Sequence, residues 1–275
     1  MTTGRPVAVG LVLAAAGSLQ VGAAFAVELF DELGPGGAAF LRLAWAAAVL
    51  WALWRPRPRG DARVAIAFGL ALGLMNLCIY EAMDRLPLGV AVTIEYAGPL
   101  AVAVIGSRRP RDVLWVVLAA AGIVILADPG GGSVDAVGVA FALTAAVCWA
   151  AYIHLGQRTG RVYPGGTGLA IAMVAGAALV APVGIAEAGS ALLRPELLAA
   201  GLAIALASSV LPYSFELEAL RRLPADVFGV LMSLGPAVAA LAGFAVLGQA
   251  LGARELVAIA MVVVASAGAA ASGEL

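Results

Sequence analysis

Apolar residues dominate this chain in long runs that alternate with short polar breaks. Ten runs approach the roughly 20 residues that an α-helix needs to cross a bilayer, and turn-forming Gly, Pro and Arg residues separate them. The predicted spans are residues 7–27, 36–54, 62–83, 88–106, 112–127, 135–156, 165–187, 196–217, 225–247 and 253–272. The pattern predicts an all-α integral membrane protein with ten transmembrane helices.

The composition agrees with a membrane protein and excludes several other classes. Of the 275 residues, 63% are hydrophobic and 12% are charged, whereas soluble domains are about half apolar and about a quarter charged. The net charge of −1 offers no basic surface for a nucleic acid partner. The sequence contains no catalytic, nucleotide-binding or metal-ligand motif, so we expect no enzyme, no cofactor and no metal.

The arginines predict the orientation in the membrane. With the N-terminus in the cytoplasm, twelve of the sixteen arginines lie on the cytoplasmic side, and Arg85, Arg194 and Arg254 lie outside. Cytoplasmic loops carry an excess of basic residues. The bias predicts a multi-pass protein of the inner (plasma) membrane, N-in/C-in, with both termini cytoplasmic and the lipid bilayer as a partner.

The chain repeats itself at an offset of 137 residues. The segment "EAMDRLPLGVAVTIEYAGP" (Glu81–Pro99) aligns without gaps on "EALRRLPADVFGVLMSLGP" (Glu218–Pro236). Residues 1–130 and 131–275 then form two halves of five spans each, and an odd number inverts the second half. Inverted-topology repeats are typical of secondary transporters, with the substrate site near mid-membrane between the repeats.

Glu95 is the principal candidate for a functional residue. It lies near the middle of the fourth span, where an ionisable residue is costly and marks a functional site by default. Pro99 removes the N–H that would bond the carbonyl of Glu95. The pair Gly98-Pro99 recurs as Gly235-Pro236 and predicts two helix breaks, whereas Glu95 has Met232 as its repeat mate. The alternative is a plain kink beside a neutral, buried acid.

Other polar residues of the spans are candidates for the same substrate-binding or proton-coupling site. Asn76 and Tyr80 are four residues apart, so they share one helix face, and Tyr213 is the repeat mate of Asn76. Satisfied helix–helix contacts are the alternative. The further candidates are Gln20, Trp149 and Tyr152.

Arg42 and Glu216 have open roles. Arg42 lies about two turns into the second span, where it can snorkel to the interface, pair with an acid of the preceding loop, or grip a substrate carboxylate. Glu216 lies near the cytoplasmic end of the eighth span, where it either pairs with Arg221 or Arg222 or acts in transport.

Two further patterns predict structural contacts. Glu81 and Arg85 are spaced i, i+4 at the end of the third span, so we expect an ion pair that stabilises the hairpin. Gly69 and Gly73 form a small-residue face for close helix packing. That face serves either the bundle or a homodimer.

Four segments resemble the bacterial threonine/homoserine exporter family of EamA-type drug/metabolite transporters. They are "LPLGVAVTIEYAGPLAVAVIGSRRPRDVLWVVLA", "CWAAYIHLGQRTG", "LPYSFELEALRRLPADVFGVLMSLGPAVAALAG" and "LGQALGARELVAI". The resemblance implies a ten-span inner-membrane exporter of small hydrophilic amino acids, driven by the proton gradient. Two departures are Gly235 in "SLGP", where the family often reads "SLEP", and Gln249, where it often has an acid.

These observations predict a secondary active exporter of small amino acids that works by alternating access. The expected partners are an amino-acid substrate and protons. The alternatives are a drug/metabolite exporter of other amino acids or amphiphilic compounds, a non-transporting membrane receptor and an intramembrane enzyme.

Overall fold

A computed structural model of the chain describes residues 4–56, 62–106, 113–127, 135–212, 215, 219 and 231–272. Within these ranges the chain is helical and forms no strand. The helices are α1 (Gly4–Val27), α2 (Phe30–Trp54), α3 (Ala62–Arg85), α4 (Leu88–Glu95), α5 (Ala97–Gly106), α6 (Val113–Ala127), α7 (Ala136–Val162), α8 (Thr167–Ala188), α9 (Pro195–Ala205), α10 (Gly235–Leu247) and α11 (Ala253–Ser272).

Five helices are long and apolar enough to cross a bilayer, namely α1, α2, α3, α7 and α8, the last together with the 3-10 turn Gly189–Leu193. Shorter apolar helices occupy four of the other predicted spans, and α11 occupies the tenth. Each predicted span is helical over most of the residues that the structure describes. The all-α prediction is therefore confirmed for this part of the chain.

Helix α2 begins at Phe30, six residues before the predicted start of the second span, but a break separates its first turn from the rest, and the predicted start falls where helix resumes. Its backbone breaks at Gly34, where φ is 68° and only glycine is unstrained, and the helix resumes after Pro35. The amide of Gly36 donates a 2.7 Å hydrogen bond to the Glu187 carboxylate of α8. A carboxylate at a helix start compensates the amides that have no helical acceptor, so helix resumes beyond the break.

Two other spans are interrupted. The fourth span divides at Tyr96 into α4 and α5, three residues before Pro99, because proline withdraws the amide that would bond the carbonyl of Glu95. The eighth span leaves the α-helical path after α9 and makes a π-helical turn over Leu206–Val210. The sequence analysis did not predict this turn.

Small residues allow the closest helix contacts. Helix α3 packs on α7 and α8, and α2 packs on α8. A Cβ atom at Gly69 would overlap the carbonyl oxygen of Ala172, and one at Gly73 would lie 2.7 Å from the carbonyl oxygen of Gly176. The face formed by Gly69 and Gly73 therefore serves packing within the bundle, which answers the question that the sequence left open.

The turns are held by specific contacts. Arg85 and Glu81 form the predicted ion pair, with 2.7 Å between nitrogen and oxygen, and Arg85 also approaches Asp135 at 4.0 Å. The Oε1 atom of Gln249 accepts a 2.9 Å hydrogen bond from the amide of Leu88, the first residue of α4. Because an amide oxygen satisfies this helix start, the capping contact requires no acid at position 249.

Contacts between turns join segments that were predicted for the same membrane side. Arg194 pairs with Glu32, and both belong to turns predicted outside. The ring of Trp54, at the predicted inner end of α2, contacts Gly165 in the turn between α7 and α8. These contacts agree with the predicted alternation of the spans.

Candidate functional site

A cavity of about 190 Å³ lies among α1, α2, α3, α4, α7 and the π-helical turn. Seven of the eight predicted site residues line it, although they come from distant parts of the sequence. They are Gln20, Arg42, Asn76, Tyr80, Glu95, Trp149 and Tyr152. The eighth, Tyr213, lies outside the described residues, as does Glu216.

Glu95 is the last residue of α4 and carries the acid of the cavity wall. Every residue of α4 is buried, and the Glu95 side chain is 8% exposed. The helix ends here because Pro99 has no amide for the Glu95 carbonyl. The same local sequence thus places a carboxylate and a helix end side by side at the cavity.

Arg42 carries the positive charge of the described lining, and three hydrogen bonds fix its guanidinium. Nη1 donates to the Tyr80 hydroxyl at 3.2 Å, Nε donates to Ser209 Oγ at 3.2 Å, and Nη2 donates to the Ser208 carbonyl at 2.9 Å. The guanidinium carbon also lies 5.7 Å from the centroid of the Tyr80 ring, within the range of a cation–π contact.

The snorkelling alternative for Arg42 is wrong, because the residue is only 6% exposed. Its donors find acceptors inside the bundle instead of at the interface. A charge inside a membrane protein is tolerated when such partners, or a polar cavity, surround it. The Arg42 side chain is therefore held inside the bundle and forms part of the cavity wall.

The π-helical turn supplies two of the acceptors that hold Arg42, Ser209 Oγ and the Ser208 carbonyl. Its bonds run from residue i to i+5, as from the Leu211 amide to the Leu206 carbonyl, and the wider turn presents carbonyls to neighbouring helices. The Ala207 carbonyl accepts from Ser18 Oγ of α1 at 2.7 Å, and the Ser208 carbonyl accepts from Arg42. Sequence reasoning missed this element; the one available signal was the adjacent pair Ser208-Ser209 in an apolar run.

Aromatic rings form another part of the wall. The Trp149 ring meets the Tyr96 ring edge-on, with centroids 4.9 Å apart, and the Tyr152 ring lies 4.9 Å from the Phe68 ring. Asn76 donates its amide to the Leu72 carbonyl of its own helix at 2.9 Å. This bond lies within α3, so it is not the contact between helices that was the alternative for Asn76, and the residue lines the cavity.

The second helix break meets the first at Tyr96, a residue that sequence reasoning did not select. Its hydroxyl donates a 3.0 Å hydrogen bond to the carbonyl of Met232, just before the turn that precedes α10. A Cβ atom at Gly235 would overlap the Tyr96 hydroxyl, and one at Gly98 would overlap the carbonyl oxygen of Ala146. Both glycines of the predicted breaks therefore permit close approaches that an alanine would disturb.

A second, more polar space lies at the predicted outer end of the bundle. It has a volume of about 430 Å³, and its wall contains Glu28, Asp31, Asp84 and Arg85. We call this space the outer vestibule. Met83 lines both the vestibule and the central cavity, so a single side chain belongs to the wall between them.

In the described ranges, no group of three His, Cys, Asp or Glu residues is positioned to hold a metal ion. The fold and the cavity define a helical membrane protein with a small internal cavity that is lined by one acidic and one basic side chain. Such a cavity between discontinuous helices is typical of secondary transporters.

Comparison with known proteins gives the family. Residues 136–270 match the EamA-like transporter family. The threonine/homoserine exporter RhtA of Salmonella typhimurium (strain SL1344) and that of Escherichia coli (strain K12) are each 42% identical to this chain over 264 residues, which cover 94% of this chain and 89% of each relative. The chain belongs to this family of EamA-like transporters, whose named members are exporters and not enzymes.

The fold has a counterpart among solved structures. A crystal structure superposes with a TM-score of 0.64 and covers 96% of this chain and 96% of its own chain. At 21% sequence identity this likeness concerns the fold alone.

Proposed function

We propose that this protein is a secondary active exporter of small amino acids of the threonine/homoserine type. In this proposal it works across the inner membrane by alternating access and is coupled to protons. The observation that carries the proposal is one small internal cavity whose described wall holds one carboxylate, Glu95, and one guanidinium, Arg42. The names of the 42% identical relatives support the same class of cargo.

The size and charges of the cavity suit a small zwitterion. Pockets for drug-sized ligands measure roughly 300–1,000 Å³, whereas this cavity measures about 190 Å³. Glu95 would accept hydrogen bonds from the cargo ammonium, and Arg42 would pair with its carboxylate. A cargo with both charges leaves neither protein charge uncompensated in the low-dielectric interior. This argument favours amino acids over bulky amphiphilic compounds.

Helix pairing supports the two inverted halves, residues 1–130 and 131–275. The 137-residue offset relates α2 to α8 and α6 to α11, and each of these helices packs directly on its own mate. Direct packing of a helix on its own mate is what a two-fold axis that passes between them produces. The breaks at Gly98-Pro99 and Gly235-Pro236 would then act as paired hinges when the halves rock.

Glu95 would also couple transport to protons. A carboxylate that binds either a proton or the cargo ammonium, but not both, exchanges one for the other across the membrane. With both termini cytoplasmic, the vestibule lies on the outer side, and cargo would leave past Met83 toward Glu28 and Asp31. Acidic side chains on that route favour the cationic end of a zwitterion.

Purified protein in liposomes tests this proposal. Efflux of labelled threonine, homoserine, phenylalanine and a cationic drug would be measured with and without an imposed pH gradient. We expect gradient-stimulated movement of threonine and homoserine, and little movement of the two bulky compounds. Transport of the bulky compounds alone would replace this cargo with that of a drug/metabolite exporter, and no flux of any compound would overturn the proposal.

A further inference from the structure

The two helix breaks are connected by one side chain. Pro236 has no N–H to donate to the carbonyl of Met232, four residues earlier. The Tyr96 hydroxyl supplies a hydrogen bond to this carbonyl, at 3.0 Å. Tyr96 is itself the turn residue between α4 and α5, so a residue of the first break satisfies the backbone of the second.

The backbone and the ring of Tyr96 are both held by neighbouring groups. Its amide bonds the Val92 carbonyl at 3.1 Å, and its ring packs edge-on against Trp149. The residue is 6% exposed, and its ring lies so close to Gly235 that a Cβ atom there would overlap the hydroxyl. A shift of the first break would therefore move the hydroxyl relative to the Met232 carbonyl.

The contact also lies beside Glu95, the acidic residue of the cavity. Tyr96 directly follows Glu95, and Glu95, Tyr96, Trp149 and Met232 all line the same space. The repeat offset pairs Tyr96 with Ser233, so the repeat itself does not require a tyrosine here. Glu95 and Tyr96 are thus two adjacent departures from the symmetry of the halves.

We propose that Tyr96 is a positioning residue that transmits the state of Glu95 to the second helix break through the Met232 carbonyl. The inference rests on the proposed function, in which Glu95 exchanges cargo for a proton. Movement of α4 on this exchange makes or breaks the Tyr96 hydrogen bond. The break before α10 thereby follows the break after α4, and the two halves move together.

A stability cycle tests the contact independently of any cargo. Tyr96→Phe removes only the hydroxyl, and Pro236→Ala restores an amide that can bond the Met232 carbonyl within the helix. In otherwise native protein, we expect Tyr96→Phe to lower the Tm by about 2–4 °C, the shift for one lost hydrogen bond in a chain of this size. With Pro236→Ala present, the same change should have a smaller effect, because the carbonyl has another donor.

Tyr163→Phe is the matched control. The Tyr163 hydroxyl is buried and has no hydrogen-bond partner among the described residues, so its removal should not lower the Tm in either background. An equal effect of Tyr96→Phe in both backgrounds, or an effect no larger than that of Tyr163→Phe, would overturn the assignment. If Pro236→Ala does not fold, the comparison of these two tyrosine variants still decides whether the hydroxyl matters.

A transport assay then separates positioning from cargo binding. For threonine efflux from liposomes, we expect Tyr96→Phe to lower the maximal rate about 3- to 10-fold, the equivalent of one hydrogen bond, and to leave KM within about twofold. A raised KM at an unchanged maximal rate would show direct cargo contact and contradict the proposal. If the unmodified protein moves no amino acid, the proposed function fails, while the stability cycle still reports on the contact.

Discussion

Replacing Glu95 with glutamine isolates the charge of the cavity acid. Glutamine keeps the size and shape of the side chain but is neutral at every pH. The carboxylate is 8% exposed and lines the same cavity as Arg42. The variant therefore removes the acceptor proposed for the cargo ammonium and leaves the neighbouring wall in place.

The expected loss follows from one charge-assisted hydrogen bond. Such a bond is worth about 1.5–3 kcal/mol, and about 1.4 kcal/mol corresponds to a factor of ten in affinity. We expect Glu95→Gln to raise KM for threonine roughly 10- to 100-fold. Because the glutamine side chain does not take up a proton, the remaining threonine flux should no longer respond to a pH gradient.

The assay is efflux of labelled threonine from liposomes over a range of internal concentrations and pH gradients. Glu196→Gln is the control, since Glu196 is exposed at the start of α9 and pairs with Arg194 outside the cavity. We expect this control to retain native KM and native gradient dependence. If the Glu95→Gln protein kept the native KM for threonine and the native dependence on the pH gradient, the role given to Glu95 would be refuted.

Three further substitutions test other parts of the account. Arg42→Lys should raise KM for threonine about tenfold or more in the same assay, because a lysine point charge replaces neither the fork geometry nor all three hydrogen bonds; a native KM would contradict a carboxylate-binding Arg42. Gly69→Ala should lower the Tm, because its Cβ would overlap the Ala172 carbonyl, whereas Gly160→Ala, with no atom within 4 Å, should be neutral or stabilising; equal Tm shifts would contradict the close contact. Met83→Trp should slow threonine efflux in the same assay, because the larger ring would narrow the passage between the central cavity and the outer vestibule; native efflux rates would contradict an exit by that route.

Much of the helical framework follows from the sequence because apolar run length and turn chemistry act locally. The end of α2 at Trp54 and the start of α3 at Ala62 were predicted correctly, because Pro and Arg residues lie between the two apolar runs. The break inside α2 was not predicted, and it depends on a distant residue, because Glu187 caps the amide of Gly36 where helix resumes after Gly34. No local pattern contains that partner.

The candidate site followed from a different principle. Polar residues are costly inside a bilayer, so Glu95, Asn76 and Gln20 could be selected from the sequence, and the structure brings them to one cavity. Tyr96 and Ser208 were missed because their contacts join segments more than 130 residues apart, to Met232 and to Arg42. Such partners depend on tertiary packing, which residue spacing along one helix does not contain.

Competition by threonine analogues tests the central claim, a cavity built for a zwitterion, most directly. Two analogues would compete with labelled threonine in the liposome assay, one with a hydroxyl in place of the amine and one with an alcohol in place of the carboxylate. The account predicts that each competes at least about tenfold more weakly than threonine, and that in Glu95→Gln the amine-free analogue competes as well as threonine. Equal competition by both analogues and threonine in the unmodified protein would contradict the claim.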